Sequence, residues 1–123
     1  MPIVTIQLVT PDVVEVASDE IQALADELGS LFNSDPGETW VRVTYLPHTQ
    51  YAENHATIEP AVQPTFVEIL KGSLPEQDVL AKEAEHITQI VSARLSRPIE
   101  NTHVLYLPTG IGRIAFGGNL VRA

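Results

Sequence analysis

No cysteine occurs among the 123 residues, which excludes disulfides and thiolate metal sites. Basic residues are scarce: seven Lys and Arg stand against sixteen Asp and Glu, a formal charge of -9. A field of that sign repels phosphate backbones, so nucleic acid is not an expected partner. Each cation becomes informative in turn, because holding an anion requires Arg42, Lys71, Arg97 or Arg113 to be focused locally against the global field. No apolar run is long enough to span a bilayer, and no membrane partner is expected. The opening MPIVTIQLVTPD lacks a basic n-region and a small-residue cleavage site, which makes the cytoplasm the default compartment. His48, His55 and His86 lack ligand spacing, so no metal site is expected. No phosphate loop and no Ser-His-Asp pattern is present.

What is present reads as one globular domain over residues 1–123. Hydrophobic residues make up 44% and charged residues 19%, and the length allows a real core. Residues 3–9 (IVTIQLV) alternate and are rich in β-branched side chains, which predicts a half-buried strand. The stretch DVVEVASDEIQALADELGSLF carries Val13, Val16, Ile21, Leu24, Leu28, Leu31 and Phe32, and from Ile21 the spacing of three and four predicts a helix with one buried stripe. NSDPGET breaks it, and WVRVTYL predicts a second strand closed by Pro47.

The pattern then repeats after a polar linker at roughly His48 to Gln63. PTFVEIL predicts a third strand and Lys71-Gly72 a turn. Ser73 with Glu76 has the spacing of a capping box, with Pro75 in the first helical turn. Leu80, Ala84, Ile87, Val91 and Leu95 form the apolar stripe of a second helix that Ser96-Arg97-Pro98 stops. THVLYLP, the fourth strand, mirrors VTYLP about sixty residues earlier, matching Tyr45 with Tyr106 and Pro47 with Pro108. Two pseudo-repeats, about 1–55 and 63–123, therefore argue for an internal duplication.

Each repeat is a β-α-β unit, whose strands pair in parallel through a right-handed crossover. The expected fold is α+β: a four-stranded mixed sheet with two helices on one face. Ile3, Thr5, Val43, Tyr45 and Val67 are expected on the other face, which an oligomer would cover. The apolar, glycine-bearing tail IAFGGNLV looks too short for an element of its own and is expected to add a strand or hairpin to a neighbouring subunit.

Three segments carry a resemblance to the tautomerase superfamily, which includes 4-oxalocrotonate tautomerase and macrophage migration inhibitory factor. PIVTIQLV resembles a first strand led by an amino-terminal proline. WVRVTYL resembles the strand whose Val-Arg-Val supplies a substrate-binding arginine. ILKGSLPEQ and FGGNL resemble the turn and the closing hairpin of the single-unit enzymes. The resemblance implies a fused two-unit member, a homotrimer with its site at a subunit boundary, no cofactor, and removal of Met1 to leave Pro2 as a free secondary amine.

On that resemblance Pro2 is the catalytic candidate. An α-amino group titrates near about 7.7–8.0, and burial or a neighbouring cation disfavours the ammonium and brings an amine towards general-base strength. With Met1 retained, the Pro2 nitrogen is an amide and has no basicity. Arg42, in Val-Arg-Val, is placed to fork onto a substrate carboxylate, and equally suits an exposed strand residue pairing with Asp or Glu. Its counterpart in the second repeat is His103.

The departures from the family pattern bear on the substrate. Where the single-unit enzymes carry an arginine just after the first strand, this chain has Asp12, and Ser73 in the second repeat. Lys71 and Arg113 are the possible replacements, Phe116 a candidate apolar wall, and Tyr106 a candidate donor to an enolate oxygen. Pro64 follows Gln63 in mid-chain and cannot be an amine, which leaves one amine site per chain. The expected function is cofactor-independent tautomerisation of a small 2-keto or enol acid by Pro2. The alternatives are a proline-dependent hydratase, decarboxylase or dehalogenase, or a non-catalytic trimeric binding protein.

Overall fold

The computed structural model describes residues 1–11, 15–59 and 62–123. Two β-α-β units follow one another. The first is β1 (Ile3–Thr10), α1 (Ser18–Leu31) and β2 (Trp40–Pro47); the second is β3 (Thr65–Leu70), α2 (Gln77–Leu95) and β4 (Thr102–Tyr106). The strands lie in the order β2-β1-β3-β4. β1 pairs in parallel with β2, β3 in parallel with β4, and the two units join through the antiparallel pair β1–β3, with Ile3 beside Leu70. The mixed four-stranded sheet expected from the sequence is thus formed.

The period of two in each strand decides the faces. Val4, Ile6, Leu8, Val67 and Ile69 point to the helices and meet Leu24 and Leu28 of α1 and Ile87 and Val91 of α2, all fully or almost fully buried. Burying one such side chain contributes roughly 1.5–3 kcal/mol. A surface ion pair contributes about 1 kcal/mol at most, so the sheet–helix interface rather than the exposed pairs of Arg94 with Glu20 and Glu27 holds the helices down.

Three of the residues expected on the far face belong to this core instead. Val67 is completely buried, and Val43 and Tyr45 pack against the cluster. The register explains it: Val43 lies beside Ile6, Tyr45 beside Leu8, and Ile6 beside Val67, so all share the inward parity. The open face carries Ile3, Thr5, Trp40, Arg42, Phe66, His103 and Leu105, with Trp40 and Leu105 exposed.

α1 starts at Ser18, behind the N-cap Ala17 and three residues before the periodic stripe opens at Ile21. Val16 therefore precedes the helix, its amide accepted by the Tyr45 hydroxyl at 2.7 Å. Val13 and Asp12 lie outside the described residues. The expected capping box of α2 does not form. The helix begins at Gln77, its N-cap Glu76 makes no side-chain cap bond, and the Leu80 amide closes the first turn on the Glu76 carbonyl. Ser73 and Pro75 thus lie before the helix, too early to cap its first turn. At the other end Ser96, in the left-handed conformation at φ 53, ends α2 where the Ser-Arg-Pro signal placed it.

The tail forms its own two-stranded hairpin, β5 (Ala115–Phe116) and β6 (Asn119–Leu120). Gly117 and Gly118 both take positive φ, the backbone a two-residue hairpin turn needs, which is why so short a segment closes on itself. Among the described residues no helix is long and apolar enough to cross a membrane.

Candidate active site

Pro2 is buried immediately ahead of β1, and its carbonyl accepts the Trp40 amide at 3.0 Å, extending the β1–β2 ladder by one residue. Because β3 runs antiparallel to β1, the exit of β3 falls beside this entry and brings Lys71, Gly72 and Ser73 to Pro2. From the other side comes the loop after α1, turned by Asn33 at φ 54 and Gly37 at φ 79. Together these segments wall an open cavity of about 330 Å³ lined by Pro2, Phe32, Asp35, Glu38, Lys71 and Ser73 among others. Among the described residues Lys71 is the only Lys or Arg lining it, against the two carboxylates Asp35 and Glu38.

The Lys71 ammonium lies 3.1 Å and 3.3 Å from the two carboxylate oxygens of Glu83 and 5.1 Å from the centre of the Phe32 ring. Both partners are largely withdrawn from water, at 17% and 13% side-chain exposure, so their attraction is screened little. The Tyr106 hydroxyl donates to the same carboxylate at 2.9 Å. Burial first, and then that hydrogen bond to Glu83, raise the Tyr106 pKa well above the ordinary tyrosine value. The two sequence candidates Lys71 and Tyr106 therefore meet on Glu83, a residue the sequence reading passed over. Its signal was present: Glu83 stands three after Leu80 and four before Ile87, a carboxylate inside the apolar stripe of α2.

Phe116 packs edge-on against Trp40, with ring centroids 5.2 Å apart, and with Leu70, Lys71 and Ile114 walls a recess of about 40 Å³ that Met1 borders. The Gly110 amide donates to the Lys71 carbonyl at 2.8 Å, which fastens the tail beside the β3 turn. The remaining candidates stand apart. Arg42 is on the open face and donates to Thr5 Oγ1 at 3.0 Å. Arg113 is exposed at the approach to the hairpin and reaches only the Thr109 carbonyl, at 3.5 Å. Neither lines the Pro2 cavity of its own chain. Among the described residues no group of three or more His, Cys, Asp or Glu is placed to hold a metal ion.

At the opposite end of β1, Pro64 occupies the position that Pro2 occupies here. Arg97 ties that end, donating to the Val9 carbonyl at 2.7 Å and the Gln63 carbonyl at 3.4 Å, and burial lowers its pKa. A cavity of about 230 Å³ there is walled by Val9, Pro11, Tyr51, Ile58 and Pro64, with no Lys or Arg among the described residues that line it.

The fold matches solved structures over nearly its whole length. A wild-type fused 4-OT described as a symmetric trimer matches with a TM-score of 0.75 and 12% identity, over 97% of this chain and 94% of that one. The macrophage migration inhibitory factor of Trichinella spiralis matches with a TM-score of 0.72 and 13% identity, over 95% and 97%. A protein whose structure followed inactivation by 2-oxo-3-pentynoate matches with a TM-score of 0.73 and 10% identity, over 97% and 94%. No family model and none of the curated proteins matches the sequence. The likeness is one of fold, and the fold is the one the sequence resemblance implied.

Proposed function

We propose that this chain, built on the fold of macrophage migration inhibitory factor and fused 4-OT, is a cofactor-independent tautomerase of a small carbonyl acid. The observation that carries the reading is Pro2 itself: buried, held in place by the Trp40 amide, and lining a cavity beside the cation Lys71. Once Met1 is removed, the Pro2 nitrogen is a secondary amine. Burial disfavours its ammonium form, which suits a base that takes a proton α to a carbonyl and returns it elsewhere on the enol. Arg42, outside the cavity of its own chain, holds the anionic end of a substrate bound to a neighbouring subunit of a homotrimer. That trimer also covers the open face carrying Trp40, Phe66 and Leu105.

A second reading rests on Asp35 and Glu38, which line the same cavity. Carboxylates in the same cavity favour a protonated proline, and one of them would activate water, as a hydratase, decarboxylase or dehalogenase requires. Assaying the wild type and Pro2→Ala on an enol such as phenylenolpyruvate, beside a 3-haloacrylate and a β-keto acid, separates the two. Ketonisation that falls by orders of magnitude in Pro2→Ala supports the tautomerase. Activity confined to the haloacrylate or the β-keto acid supports the second reading, and proline-independent turnover ends both.

A further inference from the structure

We infer that Glu83 is a specificity-determining residue of the Pro2 cavity: by engaging Lys71 it leaves the cavity without a free lysine or arginine, and so discriminates against ligands with a second carboxylate. The inference rests on the Pro2 cavity being the ligand site and on Pro2 standing there as a neutral amine, as in the tautomerase reading.

Among the described residues Lys71 is the one Lys or Arg lining the cavity. It is already held by both oxygens of Glu83 and covered on another side by the Phe32 ring. Glu83 in turn cannot easily turn away, because Tyr106 donates to it from β4. The pair is therefore preorganised, with its charge balanced before any ligand arrives. Lys71 can still direct a remaining N–H at a ligand oxygen, since a lysine ammonium has three donors. A carbonyl, an enolate oxygen or a single carboxylate can accept it. A second carboxylate finds no further Lys or Arg, and meets the exposed carboxylates Asp35 and Glu38 at the cavity wall within a chain of net charge -9. Bringing like charges together there is disfavoured. Glu83 touches no ligand in this scheme; it acts through Lys71 and is a positioning residue.

Binding of benzoate and of terephthalate, of one and two carboxylates on the same ring, tests this without requiring turnover. Titration calorimetry on the wild type should give benzoate an affinity at least about tenfold higher, a difference of about 1.4 kcal/mol. Glu83→Gln keeps the shape and frees the Lys71 charge. It should raise terephthalate affinity about tenfold or more while benzoate changes far less. Lys71→Met should weaken both. A merely structural role for Glu83 would alter both probes in parallel and leave their ratio untouched. Equal or tighter terephthalate binding by the wild type overturns the inference, as does an unchanged ratio in Glu83→Gln or failure of both probes to bind. If Glu83→Gln does not fold, the wild-type ratio alone decides. Turnover lost or kept in Pro2→Ala bears on the tautomerase reading and leaves this ratio unaffected.

Discussion

Lys71 and Tyr106, brought together from the end of β3 and from β4, donate to one carboxylate, that of Glu83, at 3.1 Å and 2.9 Å. The arrangement ties Lys71, at the cavity, and Tyr106, on β4, to one side chain of α2.

The first consequence is a pH dependence. Tyr106 keeps its proton in the folded protein to a pH at which the unfolded chain has lost it, because burial and the bond to Glu83 raise its pKa. Between those two values the folded state binds the extra proton, so stability falls as pH rises above about 10. Thermal melts from neutral pH upward should show that fall in the wild type and a shallower one in Tyr106→Phe. At neutral pH the same variant should be less stable by about 1.5–3 kcal/mol, the loss of a hydrogen bond to a charged group. Parallel curves for the two proteins would contradict the assignment. Tyr51, whose bond to Glu53 pushes its pKa to about 12, is present in both and cancels.

Trp40 is the single tryptophan, and it lies edge-on to Phe116. Phe116→Ala should shift its fluorescence to the red and reduce stability by at least about 0.5–1.5 kcal/mol, the contribution of an aromatic pair. An unchanged spectrum would mean that the tail hairpin does not dock on β2.

Arg42 faces away from the cavity of its own chain, which makes a subunit-boundary site testable by complementation. In the proposed homotrimer, Pro2→Ala and Arg42→Ala variants should each be nearly inactive. Mixed and refolded together in equal amounts, they should recover about a quarter of wild-type turnover, since a quarter of the boundaries then join an intact Pro2 to an intact Arg42. No recovery would place Arg42 outside the site.

How far the sequence reached is clearest element by element. Both β-α-β units were legible because each strand alternates and each helix has a stripe at three- and four-residue spacing, signals set by local geometry. The face of Val67 was not, because it depends on the register of β1 against β3, a long-range fact that no local pattern carries. The cap of α2 failed for a related reason: Ser73 and Glu76 have the right spacing, but the helix starts at Gln77, and tertiary packing chose that boundary. Pro2 and Lys71 were singled out through motif likeness, and the fold places both at one cavity. Glu83 was hidden because a glutamate on a helix is ordinarily solvent-exposed, and only the approach of Lys71 and Tyr106 gives its carboxylate partners.

The central claim is that Pro2 is a free, reactive secondary amine inside this cavity. An acetylenic ketone such as 2-oxo-3-pentynoate, which inactivates a protein of the same fold, is open to addition by an amine that is unprotonated and accessible. After incubation with it, peptide mass mapping should find one equivalent of reagent on a peptide that begins at Pro2, and none in Pro2→Ala. An amino-terminal peptide that retains Met1, or labelling that persists in Pro2→Ala, would contradict the account.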